Sequence, residues 1–254
     1  MSAASEVRAP GWLRLALESR APLELAASVA AWPLLAGSPR GDGHPVLVYP
    51  GFVASDVSTA PLRRLLRALG HDAHGWGQGR NLSPSPEVLD RALERIQELH
   101  RQHGRKLSLV GWSLGGLYAR ELAKRAPQAV RCVVSLGSPF TGPSRATNAW
   151  RLFDLINRGK PRVERSRDEL RAPPPVPTTS IYSRSDGIVA WQCSVEQAGP
   201  LAENIEVQAS HTGLGVNPLV MHALADRLAQ PEGLWKPFER TGLRSLIFPN
   251  PNRS

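Results

Sequence analysis

Residues 107–116 constrain this chain more than any other stretch. Leu-Ser-Leu-Val runs straight into Gly111-Trp112-Ser113-Leu114-Gly115-Gly116, and a helix-forming segment at 117–123 follows at once. A strand that becomes a helix over so few residues leaves no room for side chains on either side of the turn. Glycine at 111 and 115 removes that clash. The spacing predicts a strained Ser113 with its hydroxyl lifted above a sheet. Its place at a helix N-terminus favours developing negative charge. Gly-x-Ser-x-Gly between a strand and a helix has the form of a nucleophile elbow, so Ser113 is the candidate nucleophile.

The rest of the chain supplies the sheet this elbow needs. Residues 46–49 (Val-Leu-Val-Tyr) and 130–136 are apolar without alternation, the pattern of parallel strands buried on both faces. Residues 71–76, 106–110, 178–183 and 204–208 read as further strands. Residues 56–69, 86–103, 115–125 and 216–228 read as helices, the second with Val88, Leu89, Leu93, Ile96 and Leu99 on one side. Strands alternating with helices predict an α/β fold, a mostly parallel central sheet with helices on both faces. The breaker cluster at 37–45 separates residues 1–43, a helical extension with Leu13, Leu17, Leu23, Leu25, Val29 and Leu34 at helical spacing, from a domain at 44–239. Residues 140–177 interrupt the alternation with a short amphipathic helix (Trp150, Leu152, Phe153, Leu155, Ile156), a charged stretch at 162–171 and three prolines at 173–175. A small helical cap between two strands is expected there. Residues 240–254 form a tail of little periodicity.

A serine hydroxyl needs a base, and the base needs a third group to orient it. On this architecture the chain order is Ser, then acid, then His. Only His211 and His222 follow Ser113. His222 falls inside the last helix, whereas His211 lies in a loop between a strand and that helix. For the acid, Asp154 and Asp168 lie in the insertion and Asp226 in a helix. Asp186 stands just past a strand and is the expected partner. The oxyanion donors are expected to be the backbone N–H of Leu114 and that of Phe52, in the Pro50-Gly51-Phe52 turn after the first core strand. Trp76, Trp112, Phe140, Trp150 and Phe153 are the aromatic candidates for lining a pocket, and Gly75 to Asn81 is a glycine-rich loop without the Lys-Ser/Thr ending of a phosphate loop.

Other function classes fit poorly. The net charge is +9 (31 basic against 22 acidic residues), but only four basic residues are lysine and the arginines are scattered. No aromatic-interleaved basic stripe marks a nucleic-acid binder. No third ligand pattern accompanies His71-Asp72-Ala73-His74, and for want of a full ligand set no metal is expected. Cys132 and Cys193 do not form a disulfide framework and read as reduced thiols. Arg14, Glu18, Arg20 and Glu24 interrupt the N-terminal apolar stretch, so neither a secretory signal nor a spanning helix is expected and a cytoplasmic place is. The apolar face at Trp150 to Ile156, flanked by arginines, allows contact with an anionic membrane or lipid surface.

Taken together these residues resemble the α/β-hydrolase superfamily, in its bacterial lipase/esterase branch, over about residues 44–230. Val46-Leu-Val-Tyr-Pro-Gly-Phe52 is similar to the oxyanion strand and loop, with Pro-Gly where His-Gly is usual. Val110-Gly-Trp-Ser-Leu-Gly-Gly116 resembles the elbow, and Leu136-Gly-Ser-Pro-Phe140 the segment after the next strand. Residues 180–189 and Ser210-His211 resemble the acid and histidine segments. The resemblance implies hydrolysis of small-molecule carboxylic esters through an acyl-enzyme, with no cofactor. A thioesterase or acyltransferase with the same three residues, and a silent scaffold used for binding, are the other readings.

Overall fold

The computed structural model describes residues 7–159, 166–242 and 244–253. In chain order the elements are α1 (Trp12–Ala16), α2 (Ala21–Ala30), α3 (Trp32–Ala36), β1 (Pro45–Tyr49), α4 (Ala60–Ala68), β2 (Asp72–Gly75), α5 (Pro86–His103) and β3 (Leu107–Trp112). There follow α6 (Leu114–Arg125), β4 (Val130–Leu136), α7 (Trp150–Ile156), α8 (Arg167–Arg171), β5 (Thr178–Tyr182), β6 (Ala202–Glu206), α9 (Pro218–Leu228) and α10 (Arg244–Ile247).

The six strands form one parallel sheet in the order β2-β1-β3-β4-β5-β6. Every residue of β1 is buried, because each face of the sheet carries its own apolar layer. Val46 and Val48 point into one, shared with Leu62, Leu65 and Leu66 of α4 and with Val220 and Leu224 of α9. Leu47 and Tyr49 point into the other, shared with Leu89, Ile96 and Leu99 of α5 and with Tyr118 and Leu122 of α6. The strands therefore lack alternation for the reason the sequence suggested, and the predicted α/β class is the observed one.

Local differences have local causes. The helix expected over 56–69 begins at Ala60, since residues 55–60 close two turns (Ser58 N–H to Ser55 C=O, 3.0 Å; Ala60 N–H to Val57 C=O, 3.2 Å). Pro61 then sits in the first helical turn, where its missing N–H costs nothing. The N-terminal segment is three short helices, and its six leucine and valine residues at helical spacing are all exposed. The face turned toward the domain carries Glu18, Glu24 and Ser28 instead, while Leu35 anchors α3 in the core. The insertion between β4 and β5 supplies α7 and α8. The first part of its charged stretch, residues 162–165, lies outside the described residues. The tail folds back over β6: Phe248 is buried against Phe238, and Arg253 pairs with Glu206. Among the described residues no helix is long and apolar enough to cross a membrane.

The chain passes from β1 outward to β2, then returns to the other side of β1 as β3. Loops leaving the carboxyl ends of β1 and β3 diverge at such a switch point and open a crevice. Gly51-Phe52 follows β1 and Ser113-Leu114 follows β3.

Candidate active site

Ser113 adopts φ 53° and ψ −118°, one of two non-glycine residues with positive φ among the described residues. A Cβ on Gly111 would overlap the backbone of Gly115 and Gly116, and one on Gly115 would overlap Tyr49 C=O. The two glycines allow β3, α6 and β1 to approach this closely, and the strain falls on the serine between them. Its N–H is held by Leu136 C=O at 2.8 Å, which fixes the elbow to β4.

The second strained residue is Val53 (φ 56°), in the loop after β1. A β-branched residue avoids this region unless its surroundings impose it. Asn81 imposes it here: Val53 N–H donates to Asn81 C=O (2.8 Å), Asn81 N–H donates to Ala54 C=O (2.8 Å), and Asn81 Nδ2 donates to Pro50 C=O (2.7 Å). Asp56 in turn accepts from the N–H groups of Trp76 and Gly77 (2.9 and 3.0 Å). The glycine-rich loop is thus a buttress behind residues 50–54. Among the described residues, the N–H groups of Phe52 and Leu114 donate to no protein acceptor.

Asp186 and His211 meet behind this crevice. His211 Nδ1 lies 2.6 Å from Asp186 Oδ2, and both side chains are buried. Asp186 Oδ1 accepts from the N–H groups of Ile188 and Val189 (2.8 and 2.7 Å), so the carboxylate is aimed by its own loop. Burial works against the charged imidazole of His211. The neighbouring Asp186 carboxylate, aided by Glu18, outweighs that and raises its pKa above the ordinary value. Trp112 Nε1 donates to His211 C=O at 3.0 Å, tying the histidine loop to the end of β3. No hydrogen bond joins Ser113 Oγ to His211 among the described residues. In ligand-free hydrolases that contact often tightens only once substrate is bound.

Two acids that in the sequence only interrupt the N-terminal apolar stretch hold these loops in place. Glu18 Oε1 accepts from the N–H groups of Gly187 (2.8 Å) and His211 (2.9 Å). Glu18 Oε2 accepts from Thr212 N–H (2.9 Å) and Thr212 Oγ1 (2.7 Å). Glu24 accepts from Ser210 N–H (2.7 Å) and Asn217 Nδ2 (3.1 Å). One carboxylate therefore bridges the acid loop and the histidine loop. Burial would raise the Glu18 carboxyl, but the donors from Thr212, His211 and Gly187 outweigh it and hold it below the usual range.

A cavity of about 270 Å³ opens on Ser113 and Leu114. Phe52, Leu117, Trp150, Phe153 and Val189 belong to its apolar wall, so the cap helix α7 faces the elbow. Three of the five aromatic residues expected at the pocket are elsewhere. Trp76 is buried in the core 6.1 Å from the Tyr118 ring, its Nε1 donating to Gly79 C=O. Trp112 turns toward the histidine loop, and Phe140 lies buried 3.7 Å beneath the Arg120 guanidinium. A larger hollow of about 630 Å³, lined by Leu25, Val29, Trp32, Arg64 and Met221, lies between the N-terminal helices, α4 and α9. None of Ser113, Asp186 or His211 lines it.

A second Asp–His–Ser line lies at the opposite end of the sheet. His44 Nδ1 is 2.6 Å from Asp42 Oδ1, and His44 Nε2 is 2.8 Å from Ser108 Oγ. Ser108 and His44 are fully buried, and Ser108, the second residue of β3, lacks the positive φ of Ser113. Burial lowers the His44 pKa despite Asp42. The side-chain types are the same in both sets; strain, donors and access are not.

Residues 45–162 match the family model described as alpha/beta hydrolase fold. No curated protein matches the chain by sequence. Among solved structures it is similar to Aspergillus fumigatus lipase B, at 18% identity and a TM-score of 0.56 over 76% of this chain. The likeness covers 55% of that lipase, so the chain spans about half its length. Paleococcus ferrophilus monoacylglycerol lipase is similar at 15% identity and a TM-score of 0.52, covering 76% of this chain and 96% of that one. The thioesterase domain from the curacin biosynthetic pathway is similar at 18% identity and a TM-score of 0.52, covering 75% and 93%. At these identities the likeness is one of fold.

Proposed function

The chain has the α/β-hydrolase fold, and from that premise we propose that it is a serine carboxylester hydrolase acting on small-molecule acyl esters through an acyl-enzyme on Ser113. The observation that carries the reading is the buried Asp186–His211 pair, 2.6 Å apart, set behind a strained serine at the mouth of an apolar cavity.

In this mechanism Ser113 Oγ attacks the ester carbonyl while His211 Nε2 takes its proton. Asp186 keeps the other ring nitrogen protonated and stabilises the imidazolium that forms. The carbonyl oxygen becomes an oxyanion and is received by the N–H groups of Phe52 and Leu114. Because these donors are fixed before reaction, they need no reorganisation at the transition state. Collapse of the tetrahedral intermediate expels the alcohol, which leaves with the proton held by His211. Water, deprotonated by the same histidine, then attacks the acyl-enzyme and frees the acid and Ser113. No step needs a cofactor. The cavity of about 270 Å³ lies at the small end of ligand sites, which favours a short or medium acyl chain.

The test is turnover of p-nitrophenyl esters from about two to sixteen carbons, with wild type beside Ser113→Ala, and labelling by a fluorophosphonate. Turnover and labelling that both vanish in Ser113→Ala support the proposal. Turnover that survives in Ser113→Ala, or a wild type that neither turns over nor labels, overturns it in favour of another centre or a binding scaffold. Faster release from thioesters than from the matching oxygen esters would keep the acyl-enzyme and change the leaving group.

A further inference from the structure

We propose that Asp72, His74 and His103 form a binding site for one divalent transition-metal ion, zinc by its donor set, that staples the edge of the sheet to helix α5. In sequence Asp72 and His74 stand beside His71, but the His71 ring packs against His44, and the fold supplies the third ligand from the last residue of α5.

The site follows from strand and helix geometry. Asp72 and His74 are two apart on β2, so their side chains leave the same face. In the parallel register Asp72 is level with Pro45 and His74 with Leu47. Leu47 packs against Leu89, Ile96 and Leu99 of α5, so His74 and Asp72 face the same helix. Gly104, at φ 61°, ends α5 and turns the chain toward β3, leaving His103 beside the edge strand.

The three side chains converge on one point. His74 Nε2 lies 2.8 Å from Asp72 Oδ2, and His103 Nε2 lies 3.2 Å from the same oxygen. One ligand atom from each lies within 4.8 Å of the other two. Zinc binds imidazole nitrogen and carboxylate oxygen at about 2.0–2.2 Å, which sets tetrahedral donors roughly 3.3 Å apart. The two separations from the Asp72 oxygen need to open by only about 0.5 Å or less to admit an ion. Two imidazoles with one carboxylate suit zinc or its transition-metal neighbours, not calcium or magnesium, which take oxygen. The side chains are 24%, 26% and 45% exposed for His74, His103 and Asp72, so water can enter as the fourth ligand. The C-terminal end of an 18-residue helix adds its negative pole beside the ion.

The place in the fold indicates the role. Asp72 is level with the first residue of β1, whereas Ser113 and Phe52 follow the carboxyl ends of their strands. The ion would sit at the opposite end of the sheet from the elbow, on a four-residue strand paired on one side only. Its contribution is to stability, by holding that strand to α5.

The experiment uses the tag-free full chain, stripped with a chelator and titrated with Zn²⁺, with bound metal counted after dialysis and melting followed by circular dichroism. Wild type is expected to hold one zinc per chain. At free zinc a hundredfold above Kd its melting midpoint should rise by roughly 5–10 °C. His74→Ala and His103→Ala should lose both effects while keeping the wild-type spectrum, and Co²⁺ should give wild type a visible absorption band that neither variant shows. Zinc absent from the dialysed wild type overturns the proposal. So does zinc that stays bound in equal amount in both histidine variants.

Discussion

Replacing Glu18 with glutamine removes one charge and keeps the side chain's size. Glu18 Oε1 accepts from Gly187 and His211, and Oε2 accepts from the N–H and hydroxyl of Thr212. The amide oxygen can take over the first pair. The amide nitrogen then points a donor at Thr212 N–H, so that bond is lost, while the Thr212 hydroxyl can turn to accept from the amide in a weaker, uncharged bond. Hydrogen bonds to a charged group contribute about 1.5–3 kcal/mol each, and Thr212 is exposed enough for water to replace part of this. A total loss of about 2–3 kcal/mol is expected in denaturant unfolding at pH 7. The sign with pH is fixed. The donors around Glu18 outweigh its burial and hold its folded-state carboxyl below the ordinary glutamate value. Its contribution is therefore present above that value and lost as pH falls through the folded one, so wild type and Glu18→Gln should converge in acid. The second readout is kinetic. Glu18 is one of the charges that raise the His211 pKa. The acid limb of the kcat/KM profile reports that imidazole in the free enzyme, and it should move to lower pH in the variant. The plateau should fall about tenfold or more as the histidine loop loosens. A limb that stays in place or moves upward would refute the claim that this carboxylate acts on His211, even if stability fell as expected.

Further predictions come from the same kind of reading. Asn81→Ala removes the side-chain bond to Pro50 C=O; the loop that carries Phe52 should relax, and kcat should fall by about 10- to 100-fold with little change in KM, measured by steady-state kinetics on the best ester. Arg120 and Glu196 are buried against each other beneath α6. Arg120→Met should destabilise the chain by about 3–5 kcal/mol in urea unfolding, and adding Glu196→Leu should restore much of the loss by removing the stranded charge. Phe153→Ala enlarges the wall opposite the elbow, so the preferred acyl chain in the p-nitrophenyl series should lengthen; unchanged preference would place the acyl group elsewhere.

How much of this was legible in the sequence depends on the distance over which each cause acts. The elbow was legible because its cause is local: Gly111 and Gly115 clear the backbone for Ser113 within five residues, and the strand and helix beside them are apolar runs of known period. Asp186 and His211 could be singled out by chain order and loop position, since each stands just after a strand of a sheet whose parallel pattern is visible in β1 and β4. The pocket was half legible. Trp150 and Phe153 are aromatic and line the cavity, but Trp76, Trp112 and Phe140 are equally aromatic, and only packing turns them into core. Least legible were contacts whose partners lie far apart in sequence. Glu18 and Glu24 look like charges breaking an apolar stretch, yet they meet donors near residues 187 and 210, across most of the chain. Their signal was present in an odd form: the apolar stripe of the N-terminal segment faces solvent, so something other than apolar burial had to hold that segment to the domain. Carboxylates accepting backbone N–H groups are what hold it. The same logic brings His103 to Asp72 and His74. Where an element's apolar face is not the one it buries, its polar residues are where long-range contacts should be sought.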